Sequence, residues 1–198
     1  MTAVLLFAKA PRPGAVKTRL ARDLGEAAAA SVYRALGVRV AEAVSVAFPL
    51  TVWYEPPGAE AEMRAWLGDR HRYVPQPEGD LGERLRLGFA THFQGGGGPA
   101  IAIGADAPDV DAAVVAAAFA RLERADVVLG PAVDGGYYLV GLARPTPALF
   151  AGVPWGTGGV LHETLAICRR EGLRVARLPP LRDVDTIDDL RAAGLDRP

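Results

Sequence analysis

Six short apolar runs, separated by longer stretches rich in Ala, Leu, Glu and Arg, constrain this chain more than any other feature. The runs at 3–8, 50–54, 100–105, 127–129, 137–142 and 174–178 read as buried strands. The stretches at 16–24, 26–46, 59–67, 81–93, 111–123 and 159–171 read as helices packed on a sheet. That alternation predicts an α/β layer fold. With 198 residues, half of them hydrophobic, the chain can build one sizeable core and is short for two, so 1–198 is read as a single domain. In such folds ligands sit beyond the carboxyl ends of the strands, which directs attention to the loops after Ala8, Ala105 and Leu129.

Charge and cysteine content exclude several classes. The net charge is −1, from 22 basic and 23 acidic residues spread along the chain. No global field exists to recruit nucleic acid or an anionic membrane, so an anionic substrate must be held locally. Cys168 is the single cysteine, which rules out an intrachain disulfide and fits a cytoplasmic setting. The apolar start is broken by Lys9, Pro11, Arg12 and Pro13, short of a secretory signal or a membrane span. The three histidines lack metal-ligand spacing, which argues against zinc. Ser31 and Ser45 lie in helical stretches without a nucleophile elbow.

The loop after the first strand, Phe7-Ala-Lys-Ala-Pro-Arg-Pro-Gly-Ala-Val-Lys-Thr-Arg-Leu20, gathers Lys9, Arg12, Lys17 and Arg19 around Pro and Gly ahead of a helix. Backbone N–H groups at a helix start favour anions, Arg grips phosphate with a planar fork, and Lys adds a point charge. A solvated basic loop would have the same composition. Val16 and Pro11 stand where a Walker loop needs glycines, so that motif is rejected. Lys17 and Arg19 are expected to be exposed at the loop edge.

Asp106 ends an apolar strand, with Pro108 stopping the ladder. A hard cation such as Mg²⁺ commonly takes one or two protein carboxylates, so Asp106 suits that role, while Asp106 or Asp109 is equally suited to cap the next helix. Near the C-terminus, Thr186 followed by Asp188 and Asp189 reads as a helix start, which leaves Asp183 and Asp185 unexplained. Asp134-Gly-Gly-Tyr-Tyr138 is a hairpin turn or an acceptor pocket built from Asp134, Gly135, Gly136 and Tyr137. Trp155 either lines that pocket or packs. Asp80 with Glu83 resembles a capping box.

Four of these segments together, Phe7-Ala-Lys-Ala-Pro with Val16-Lys-Thr-Arg-Leu20, Gly104-Ala-Asp-Ala-Pro108, Gly130-Pro-Ala-Val-Asp-Gly-Gly-Tyr-Tyr-Leu139 and Asp183-Val-Asp-Thr186, resemble the bacterial radical-SAM/selenodomain-associated transferases. The resemblance spans nearly the whole chain. It implies the GT-A, or nucleotide-diphospho-sugar transferase, fold: a mixed, mostly parallel sheet flanked by helices. Lys17-Thr-Arg-Leu20 is also similar to the basic signature with which sugar-nucleotide pyrophosphorylases and 2-phospholactate guanylyltransferases hold a triphosphate. CMP-Kdo synthetases carry a Gly-Asp-x-Pro strand end and a Val-Asp-Thr-Pro-x-Asp-Leu segment whose aspartates bind magnesium. Here Ala105 separates Gly104 from Asp106, and Ile187 replaces the proline.

The resemblance implies a metal-dependent transferase that takes a nucleotide or nucleotide-sugar donor and a small-molecule acceptor. Asp106 and Asp185 would hold Mg²⁺ or Mn²⁺. Ala8, Lys9, Arg12, Gly14, Lys17, Arg19, Gly82 and Arg84 are the candidate nucleotide contacts; Lys17, Arg19, Asp106 and Asp134 are the candidate catalytic groups. Nucleotidyl transfer from an NTP is the first expectation and glycosyl transfer the second. A third is a module that binds nucleotide without turnover, against which stand both carboxylates and the cationic loop. Without the ion the two carboxylates are expected to repel, so neutralising either should raise the stability of the metal-free protein.

Overall fold

The computed structural model describes residues 2–195. Seven strands, β1 (Ala3–Lys9), β2 (Leu50–Glu55), β3 (Arg72–Pro75), β4 (Ala100–Gly104), β5 (Val127–Pro131), β6 (Tyr137–Leu142) and β7 (Val175–Arg177), form one sheet in the order β3-β2-β1-β4-β6-β5-β7. The pairings of β1 with β2 and β4, of β2 with β3 and of β5 with β7 are parallel, whereas β6 runs antiparallel between β4 and β5. The helices are α1 (Ala21–Leu24), α2 (Glu26–Ser45), α3 (Glu60–Leu67), α4 (Leu81–Gln94), α5 (Ala112–Leu122), α6 (Val160–Arg170) and α7 (Ile187–Ala192), with a 3₁₀ turn at Pro147–Phe150. No helix among the described residues is long and apolar enough to cross a membrane.

Strand side chains alternate between faces, and the sheet is covered on both, which is why its strands read as unbroken apolar runs. Val4, Leu6 and Ala8 of β1 join Val52, Tyr54, Ile101 and Ile103 in a core with α2, α3 and α5. Leu5 of β1 joins Trp53, Ala100 and Ala102 in a second core with α4 and α6, which includes the buried Cys168. A third, smaller cluster packs Leu20 and α2 residues against Val184 and Leu190. It ties the loop after β1 to the C-terminal segment.

Two expectations need correction. The helix read over 16–24 exists only as α1, and Lys17 lies in the left-handed region at φ 48° inside a loop. A non-glycine residue adopts that conformation at a cost, here accepted because it carries the Lys17 side chain inward. β3 lies outside the six apolar runs of the sequence. It is a four-residue edge strand in which Tyr73 is buried between more exposed neighbours, too short to leave a periodic signal.

Candidate active site

The carboxyl ends of β1, β2 and β4 and the start of the antiparallel β6 face one side of the molecule, where they line a cleft of about 790 Å³. That size suits a small ligand buried among convergent polar groups. Phe7, Ala8 and Lys9 enter it from β1, Gly104 and Asp106 from β4, and Tyr137 from β6, together with Lys17, Arg19, Asp183 and Asp185.

Asp106 and Asp185 meet on a single cation, the Lys17 ammonium. Lys17 Nζ donates to Asp106 Oδ2 at 2.8 Å and to Asp185 Oδ1 at 2.7 Å. Leu20 and Val184 share the third apolar cluster, and Val184 N–H donates to the Asp106 carbonyl, so both partners of Lys17 are fixed by backbone and packing. The expectation that Lys17 is exposed is overturned: its side chain is 4% exposed, drawn in by the two carboxylates. Burial disfavours its charge, but Asp106 and Asp185 outweigh this and hold its pKa above the ordinary lysine value. Arg19 is exposed as expected, with its guanidinium 3.7 Å from Asp185. The anticipated repulsion between the carboxylates is therefore answered by an internal counter-charge. Neither Asp106 nor Asp109 caps the next helix; Asp111 does, accepting from Val114 N–H, so the Asp106 side chain is left for the cleft.

Asp183 completes the acidic floor. One of its oxygens is buried without a hydrogen-bond partner, and burial, then the neighbouring Asp106 and Asp134, pushes its pKa up to about 7. Thr186 and Asp189 form a full capping box for α7, as the sequence suggested, which accounts for Asp189 without a ligand role.

At the β2 side of the cleft Lys9 pairs with Glu55 at 3.5 Å, and Arg84 donates to Glu55 and to Gln76. Burial would raise the Glu55 pKa, yet Arg84 and Lys9 hold it below the ordinary range. Gln76, buried, donates to the carbonyls of Ala8 and Trp53 and joins the strand ends, while Tyr33 of α2 accepts from Lys9 N–H. Glu55, Gln76 and Tyr33 were not singled out in the sequence. Glu55 ends β2, Gln76 follows β3 and Tyr33 lies on α2, positions whose pattern gives no hint of a site.

Other candidates lie outside the cleft lining. Arg12 pairs with Glu62 at 2.9 Å, and Gly14 lies against Glu26. Gly82 is a packing position, where a Cβ would meet Trp155 Nε1 at 2.3 Å. Trp155 stands edge-on to Tyr137, whose buried hydroxyl lacks a partner. Asp134 accepts from Gly136 N–H within the β5–β6 turn, and a side chain on Gly135 would strike the Gly158 carbonyl, so this turn is packed against the segment that leads into α6.

The donor set fits a hard divalent ion. Among the described residues no three acidic, His or Cys side chains gather tightly enough to hold a metal unaided. Magnesium-type sites need only one or two protein carboxylates, with water and phosphate oxygens supplying the rest. Asp106 and Asp185 already converge on a cation, and beside them Asp183 keeps a buried oxygen without a hydrogen-bond partner.

Residues 39–157 match the family described as "Uncharacterized protein conserved in bacteria (DUF2064)". The chain belongs to this family. A crystal structure from Desulfovibrio desulfuricans G20, of a protein provisionally assigned as a nucleotide-diphospho-sugar transferase, is 36% identical and superposes with a TM-score of 0.92 over 97% of this chain and 85% of that one. At lower identity the likeness concerns the fold alone. Rv0371c of Mycobacterium tuberculosis H37Rv in complex with manganese is 20% identical, with a TM-score of 0.58 over 97% of each chain. A CMP:2-keto-3-deoxy-manno-octonic acid synthetase in complex with CTP is 11% identical, with a TM-score of 0.60 over 97% of this chain and 96% of that one. No curated protein matches the chain in sequence. The family member described here thus has the single-domain α/β fold of nucleotide-utilising transferases.

Proposed function

We propose that the protein is a divalent-metal-dependent nucleotidyltransferase, in which an acceptor hydroxyl or phosphate oxygen attacks the α-phosphorus of an NTP and pyrophosphate leaves. The observation that carries this reading is the convergence of Asp106 and Asp185 at the floor of a cleft whose walls supply Lys9, Lys17, Arg19 and Arg84. Asp106 and Asp185 would hold Mg²⁺ or Mn²⁺, which when bound supplies charge neutralisation at the phosphates. Arg19, exposed and forked, receives the outer phosphates, and Lys17 sits within reach of a phosphate that enters above the carboxylates. The rate gain comes from positioning and charge stabilisation rather than from a covalent intermediate. Tyr137 and the Asp134–Gly136 turn border the acceptor side. The resemblance of the four motifs to those of the radical-SAM-associated transferases supports this reading, on which the protein acts on a small-molecule acceptor in the cytoplasm.

A second reading is glycosyl transfer from a nucleotide-diphospho-sugar, favoured by the assignment of the 36%-identical Desulfovibrio protein. It shares the metal and gives the cationic loop less to do. Incubation with each NTP, and separately with sugar nucleotides, plus Mg²⁺ or Mn²⁺ and a panel of phosphorylated and hydroxylated acceptors, separates the two. Pyrophosphate release from an NTP supports the first reading. Nucleoside diphosphate release from a sugar nucleotide replaces it with the second.

A further inference from the structure

Lys17 occupies the position that a divalent ion would need. Both of its hydrogen bonds go to Asp106 and Asp185, and its side chain is enclosed while each carboxylate stays about a third exposed to the cleft. An ion bound by the same two carboxylates would lie within a few ångströms of the ammonium, and like charges at that separation in a partly dry site repel strongly. Among the described residues no second basic group shares both acids, since Arg19 reaches only Asp185. The Lys17 ammonium has no further hydrogen-bond partner among the described residues, and a four-carbon lysine stem is flexible enough to reorient on a fixed backbone. Lys17 also lines the cleft, so an outward swing carries the ammonium to where phosphate oxygens would stand.

We propose that Lys17 is a resident counter-ion that blocks the Asp106/Asp185 site in the ligand-free protein and is displaced into the cleft when a divalent ion binds. This rests on the metal reading above. One residue then serves two stations. It neutralises the acids when the cleft is empty, and it offers its charge to phosphate once the ion has taken its place. Metal and nucleotide consequently favour each other's binding, because the phosphates give the expelled ammonium a new partner.

The chain has only two lysines, Lys9 and Lys17, which makes the displacement directly readable. Reductive methylation with formaldehyde and cyanoborohydride, followed by peptide mass spectrometry, reports each amine separately, with the half-exposed Lys9 as internal standard. In excess chelator Lys17 should react at least about ten-fold more slowly than Lys9, and saturating Mg²⁺ should bring its rate close to that of Lys9. In parallel, Mn²⁺ binding followed by electron paramagnetic resonance should be about ten-fold tighter for Lys17→Met than for wild type, with Lys17→Arg restoring the weaker binding. Mg²⁺ binding that leaves Lys17 protected, or equal or weaker Mn²⁺ binding by Lys17→Met, overturns the displacement while leaving the metal reading intact. Absence of Mn²⁺ binding by wild type and Lys17→Met alike removes both. Should Lys17→Met fail to fold, labelling of the wild-type protein decides alone.

Discussion

Asp106→Asn tests the charge balance at the cleft floor, because two views of the site give opposite signs. If Asp106 and Asp185 simply repelled, neutralising one would stabilise the metal-free protein. The structure instead places Lys17 Nζ at 2.8 Å from Asp106 and 2.7 Å from Asp185, with the lysine side chain 4% exposed. A hydrogen bond to a charged group contributes about 1.5–3 kcal/mol net, and breaking a fully buried ion pair costs about 3–5 kcal/mol. Asp106 is 35% exposed, which favours the lower range. Relief of its repulsion with Asp183 offsets part of the loss, and that offset is limited because burial is the larger cause of the raised Asp183 pKa. A net loss of about 1–2 kcal/mol follows, which for a chain of this length lowers Tm by about 2–8 °C. The assay is calorimetric melting at pH 7 in excess chelator, with wild type alongside. An Asp106→Asn protein that melts at or above the wild-type temperature would refute the internal counter-charge.

Three further outcomes are expected. Arg19→Ala should weaken triphosphate binding by roughly ten-fold in titration calorimetry and shift Tm little, since its 3.7 Å contact with Asp185 is an exposed pair of small worth; unchanged affinity for every nucleotide would remove Arg19 from the donor site. Gly82→Ala should cost about 1–3 kcal/mol in urea unfolding, because the added Cβ lands 2.3 Å from Trp155 Nε1 and 2.9 Å from the Phe150 carbonyl; full stability would mean that the contact yields freely. Asp126, at the foot of β5, accepts from the backbone and side chain of Arg174, chiefly for which its pKa falls from 3.8 to about 2. A depressed carboxylate contributes stability that is fully present above its unfolded pKa and disappears as pH falls through its folded one. Wild type should thus exceed Asp126→Asn by about 1–2 kcal/mol above pH 5, and the gap should close between about pH 4 and pH 2; a gap independent of pH would deny the ion pair its role.

The layer architecture is legible in the sequence because each inner strand is covered on both faces and therefore spells an apolar run. β3 escapes that rule, being a short edge strand with one buried side chain. Asp106 is legible since it follows directly on such a run, and Asp185 since Thr186 and Asp189 account for the acids after it while leaving those before it unassigned. The inward turn of Lys17 is not legible. It depends on a left-handed backbone at a residue that carries no mark of one, and on acids 89 and 168 positions away. Glu55, Gln76 and Tyr33 are hidden for a related reason: they occupy ordinary places on a strand, a strand end and a helix, and only the side-by-side setting of β1, β2 and α2 turns them towards one another.

The backbone bond from Val184 N–H to the Asp106 carbonyl, and those between Leu181 and the β5 end, close the site with a segment near the end of the chain. Synthesis proceeds from the N-terminus, so the loop with Lys17 and the strand with Asp106 leave the ribosome long before Asp185 exists. During that interval Lys17 has at most one of its two carboxylates. The order of events is thus written into the topology: the strand that carries Asp106 comes first, and the second carboxylate partner of Lys17 follows only after β5, β6 and β7 have been made.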